Sequence, residues 1–157
     1  MKLKISSFLF FVFFAFNYQA QSFNDDKISF TNFVKRMYMS SPFDGVKIIE
    51  DYDHQYMVSV IGMDKAKYAD PSVMNRVAQV KAQSQVNTFL NGASIDMSLV
   101  VRTTETTEGG QSKVTTESLE QIKQNSTGFS QGLELLSNFD NAEGKKVVYV
   151  YVREIKK

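Results

Sequence analysis

Cysteine is missing from all 157 residues. That absence excludes disulfides, thiolate metal sites, cysteine nucleophiles and the thiol to which a lipoprotein anchor would be attached. Histidine occurs once, at His54. A zinc centre that takes three protein ligands therefore has little to draw on. Charge of one sign is lacking as well: 18 Lys+Arg stand against 17 Asp+Glu, with no basic cluster. Phosphate backbones are held by a concentrated positive field, so nucleic acid is not an expected partner. Tryptophan is absent and proline occurs twice. What remains is a moderately polar chain, long enough for one domain with a buried core.

The first twenty residues read as a targeting segment. MKLK gives a positive start, ISSFLFFVFFAF a largely apolar run, and NYQAQ a polar exit with Ala20 as the last residue before cleavage. The run is shorter than the roughly 20 residues a membrane-spanning helix needs. Six phenylalanines between Phe8 and Phe16 would leave a helix of the domain with no solvent face. Export of a mature chain starting at Gln21 follows, into the periplasm or the exterior of a bacterium, with no stable membrane anchor after cleavage. Without residues 1–20 the balance is 16 basic against 17 acidic, a net of −1.

The mature chain, 21–157, is organised around residues 70–101. Asp70 offers an N-cap oxygen, Pro71 suits the first helical position, and Gly92 can take the left-handed stop. Between them Val73, Met74, Val77, Ala78, Val80, Ala82, Val86, Phe89 and Leu90 form a broad apolar stripe at helical spacing. Beyond Gly92 the period drops to two, and Ile95, Met97, Leu99 and Val101 predict a strand over about 94–107. Residues 25–40 predict an earlier helix, stopped by Ser41-Pro42-Phe43-Asp44-Gly45. Two strands follow, about 46–50 and 55–63, with Gly62 ending regular pairing or marking a bulge.

Glu108-Gly109-Gly110-Gln111 has the form of a two-residue hairpin turn. That turn would set Arg102 opposite Glu117, Val100 opposite Leu119, Met97 opposite Ile122 and Asp96 opposite Lys123, each pair contributing roughly 0.2–1 kcal/mol. A helix beginning at Ser118 competes for 118–125, where S-L-E-Q is a possible capping box. A strand over 128–139 would place Phe129, Leu133, Leu135 and Phe139 on one face. The final strand, 145–155, is apolar on both faces and belongs inside the sheet. The expected architecture is α+β: a two-layer sandwich in which two helices cover one face of an antiparallel sheet of hairpins.

The runs YMVSVIGM (56–63), RVAQVKAQSQVNTFLNG (76–92), STGFSQGLELL (126–136) and VVYVYV (147–152) together resemble the Lpp-twenty lipoprotein family and the N-terminal domain of flagellar assembly protein T. The likeness spans about residues 55–155. It implies an envelope-facing binding or assembly module without enzymatic activity, and it supplies no functional residues to carry across. The missing cysteine departs from the lipoprotein members, so tethering to a membrane is not implied.

Chemistry has few candidates. His54, flanked by Asp51 and Asp53, has the composition of a metal ligand or general base. It also has that of a solvated hairpin turn, which is the expectation here because Asp bonds its own backbone in turns. No G-x-S-x-G elbow accompanies it. Glu108-Gly109-Gly110 lacks the following helix a phosphate cradle needs. Thr103-Thr104-Glu105-Thr106-Thr107 has the form of a wet strand or of an edge that pairs with another chain. No catalytic, cofactor-binding or metal residues are assigned. The leading expectation is a non-catalytic exported module that binds a protein partner in the cell envelope, using the sheet face away from the helices or the long hairpin. The alternative is a carrier of a small apolar ligand between helices and sheet, with Met37, Met39, Met57, Met63, Met74 and Met97 as an adaptable lining. A hydrolase comes third.

Overall fold

The computed structural model describes residues 25–51, 54–92, 100–102 and 124–155. In chain order these form α1 (Asp25–Ser40), β1 (Gly45–Asp51), β2 (His54–Asp64), a 3-10 turn (Lys65–Lys67) and α2 (Pro71–Gly92). There follow β3 (Val100–Arg102), α3 (Ser126–Gln131), β4 (Glu134–Asp140) and β5 (Lys146–Glu154). The strands make one sheet in the order β3-β1-β2-β5-β4. All neighbours are antiparallel except β3, which runs parallel to β1 with Val100 beside Ile48. The expected α+β sandwich, an antiparallel sheet with helices packed on it, is what the chain forms.

The helices differ from expectation in their placement. Along β2, Met57, Ile61 and Met63 join the core beneath α2, whereas Val58 and Val60 join the core beneath α1. Strand β5 divides the same way: Tyr149 and Tyr151 face α2, Val148 and Val150 face α1. Successive strand residues point to opposite faces, so the two helices lie on opposite faces and the sandwich has three layers, not two. The physical reason is visible in β5 itself. A strand apolar on both sides needs cover on both sides.

Helix α2 starts as its sequence requires. Asp70 Oδ1 accepts from the Ser72 N–H at 2.7 Å, and the Asp70 carbonyl accepts the first helical bond, from Met74 N–H at 3.1 Å. Its buried row is narrower than the apolar stripe: Met74, Ala78, Ala82, Val86 and Leu90, each four residues on. Val73 and Val80 face solvent at 38% and 64% exposure. Ala78 and Ala82 lie at the middle of the row, in a core whose bulk comes from Met57, Tyr149 and Tyr151 of the sheet. On the other face Phe30, Val34 and Tyr38 of α1 cover the valines, and Tyr38 meets Phe139 edge-on with centroids 5.6 Å apart.

Gly62 ends one pairing and continues another. Strand β1 stops at Gly45 beside Val60, while β5 pairs on through Gly62 to Asp64. The Gly62 N–H on the vacated side is taken by Asp44 Oδ1 at 2.8 Å.

The strand expected over 128–139 is shorter than the sequence suggests. Residues 126–131 are helical, with Asn125 accepting from Gly128 N–H through its side chain at 3.3 Å and from Phe129 N–H through its carbonyl at 2.9 Å. Phe129 and Leu133 are four apart, a spacing that serves a helical turn as well as a strand face. Both enter the core under α2, whereas Phe139 packs under α1, and Leu135 is 43% exposed beside a bulge between Leu135 and Ser137. Only Val100–Arg102 of the strand expected over 94–107 is described. The segment 1–20, the Gly109-Gly110 turn with its facing pairs, the threonine run, Met97 and residues 118–123 lie outside the described residues.

Candidate functional site

Strand pairing places His54 opposite Asp51 at the turn end of the β1–β2 hairpin. Its Nδ1 lies 2.8 Å from Glu154 Oε1 of β5, and its ring stacks over Tyr56 at 6.1 Å and 23°. The histidine and glutamate side chains are 59% and 51% exposed. Asp53, the other acid beside His54 in sequence, is outside the described residues. The local field is negative: Tyr56 ionises above its ordinary value, first because of burial, then because Glu154, Asp51 and Asp26 oppose a phenolate. Among the described residues no three His, Cys, Asp or Glu side chains gather to hold a metal ion. The His54–Glu154 hydrogen bond, between two side chains more than half exposed, joins the start of β2 to the end of β5.

The buried hydroxyls have other partners. Ser59 donates to Gln85 Oε1 at 2.9 Å, Ser126 to Asn91 Oδ1 at 3.3 Å, and Ser130 to the Thr127 carbonyl at 3.0 Å. Each is satisfied by an amide or a carbonyl, groups that do not take a proton from a nucleophile at neutral pH.

Sequence reasoning grouped the methionines as one lining, and the structure divides them. Met57 and Met63 of β2 and Met74 of α2 are core on the α2 face, Met37 of α1 is half-buried against the core on the opposite face, and Met39 is 40% exposed. No described helix is long and apolar enough to cross a membrane.

Two surfaces remain that sequence patterning did not single out. The first is β4, which pairs on one side with β5 and, among the described residues, with no other strand. The second is an open groove of ≈ 330 Å³ between the start of β1 and the second half of α2, lined by Gly45, Val46, Ser84, Gln85, Thr88 and Phe89. The sequence held one signal for the groove: Gln85 is a polar residue on the same four-residue row as Val77 and Phe89. Comparison with protein-family models, with curated proteins and with solved structures finds no match to this chain.

Proposed function

We propose that the chain is a non-catalytic exported module that binds or scaffolds a protein partner of the cell envelope, and that it does so through the β4 edge of its sheet. One observation carries this reading: α1 and α2 cover opposite faces of the strands between them, which leaves the backbone donors and acceptors of an edge as the sheet's means of adding to another chain. This replaces the expectation of a free sheet face. Strand β4 is seven residues long and carries the exposed Leu135 beside its bulge. The signal-like residues 1–20 support export, and the open-solvent setting of His54 supports a role other than catalysis.

The test combines processing and contact. Expressed with its own N-terminus in a bacterium, the chain should be recovered outside the cytoplasm with Gln21 as its first residue, read by intact mass. A photo-crosslinking amino acid at Asn138 on β4 should then give a discrete adduct that the same group at Asn32 on α1 does not give. Retention in the cytoplasm with residues 1–20 attached, or equal adducts from both positions, would overturn the reading.

A further inference from the structure

The groove between β1 and α2 has a composition that selects a kind of ligand. Its apolar contribution comes from Val46 and Phe89, its polar contribution from Ser84, Gln85 and Thr88, and among the described residues no charged side chain lines it. The polar groups are not equivalent. Ser59, fully buried in β2, donates its hydroxyl to Gln85 Oε1 at 2.9 Å. That bond fixes which end of the carboxamide is occupied. The oxygen turns inward to Ser59, and Nε2, with two N–H donors and no acceptor, is the end available to the groove. At the other wall Gly45 has φ 140°, and a Cβ built there would meet nothing within 4 Å. The space beside the strand is therefore open at the point where a side chain would otherwise fill it.

We infer that this groove binds a small neutral amphiphile: an aliphatic segment lying along Val46 and Phe89, with an amide or ester carbonyl accepting from Gln85 Nε2. The described lining, which carries no charge, disfavours carboxylates and ammonium ions, because either would lose hydration without gaining a counter-charge from it. A donor held by a buried partner favours a carbonyl over a bare hydrocarbon, since the bound carbonyl keeps a hydrogen bond it would otherwise surrender. The volume stands at the lower end of small-molecule sites and the groove is open, so about a dozen heavy atoms are accommodated and the Kd is of order 0.1–1 mM. This inference is independent of how β4 is used.

The experiment is a titration of the isotope-labelled chain with N-butylhexanamide, followed by NMR of backbone and side-chain amides. Hexanoate and hexylammonium serve as charged counter-probes. The expected result is saturable shifts at the Gln85 side-chain amide, Ser84, Thr88, Phe89 and Val46, with both ions at least several-fold weaker. Thr88 is exposed, so T88W should leave the fold intact by circular dichroism while abolishing the shifts. Q85L should weaken binding up to about tenfold, the value of one ordinary hydrogen bond. Shifts that persist in folded T88W, that spread away from the groove, or that are matched by the ions would overturn the assignment, as would no saturation by 10 mM, roughly ten times the weakest Kd expected.

Discussion

Arg153 of β5 and Phe129 of α3 are locked together by two unlike interactions. The guanidinium carbon sits 4.5 Å above the centre of the phenyl ring, while Nη1 donates to the Gly128 carbonyl at 2.8 Å and also to the Phe129 carbonyl. The arginine thus closes the end of a six-residue helix that could not persist alone. Gly132 takes part, because a Cβ there would run into the same guanidinium.

A double-mutant cycle tests this arrangement. R153A should cost about 1–3 kcal/mol by taking the guanidinium from the Gly128 carbonyl and the Phe129 ring, the Phe129 carbonyl keeping the Gly132 N–H, and G132A a similar amount by pushing the arginine aside. The G132A/R153A double variant should cost little more than either single change, since the displaced group is already gone. Urea unfolding of the four proteins reads the coupling.

The buried row of α2 makes a sharper prediction than its overall hydrophobicity. Leu90→Ala should destabilise by about 2–5 kcal/mol, as expected for a side chain only 2% exposed. Val80→Ala, on the same helix and equally apolar by sequence, should stay within about 0.5 kcal/mol because Val80 is 64% exposed. Thermal or urea melts of the two variants distinguish them.

Alkaline pH should loosen the fold through its tyrosines. Tyr38, Tyr56, Tyr149 and Tyr151 all ionise above the ordinary 10.0, in each case first because they are buried. The folded state therefore keeps its phenol protons at pH values where the unfolded chain releases them. Stability is intact below about pH 10 and is lost as pH climbs from there through the folded values. Phenolate absorbance and tryptophan-independent circular dichroism, followed together, should show these tyrosines ionising with unfolding. Full ionisation near 10 in a folded protein would contradict their burial.

The His54–Glu154 pair should matter little to stability. With both side chains more than half exposed, H54Q or E154Q should change unfolding by less than about 1 kcal/mol, and added salt should shrink the difference. A larger loss would mean that the pair organises more of the β1–β2 end than its exposure suggests.

Much of this fold is written locally. Asp70 and Pro71 start α2 because caps act on their own neighbours, and Asp44-Gly45 starts β1 for the same reason; Gly92 is instead the last helical residue and does not take the expected left-handed conformation. The alternation of Val147 to Val152 also states that both sides of β5 are buried. Which helix covers which side is a long-range matter, decided by where α1 meets Val58 and Val148, and no residue of α1 encodes it. The sequence reads as strand from Gly128 on because the spacing of Phe129 and Leu133 fits that period, although it serves a helical turn as well. The helix that forms there is held by Arg153, 25 residues after Gly128. The groove was less legible still. Gln85 gains its meaning from Ser59 on another element, and a hydrogen bond between residues 26 apart leaves no trace in spacing.

The division of β2 between two unlike cores also guards the alignment of the sheet. Under α2 the strands offer Met57, Met63, Tyr149 and Tyr151 to a helix whose buried row has Ala78 and Ala82 at its middle, and under α1 they offer Val58, Val60, Val148 and Val150 to Phe30, Val34 and Tyr38. A slip of one position would exchange the two sets, setting valines over Ala78 and Ala82 and tyrosines against Phe30 and Tyr38. One side would be left hollow and the other overfilled, so the mistake is penalised twice. The chain thus carries its own proofreading for strand alignment, independent of any turn.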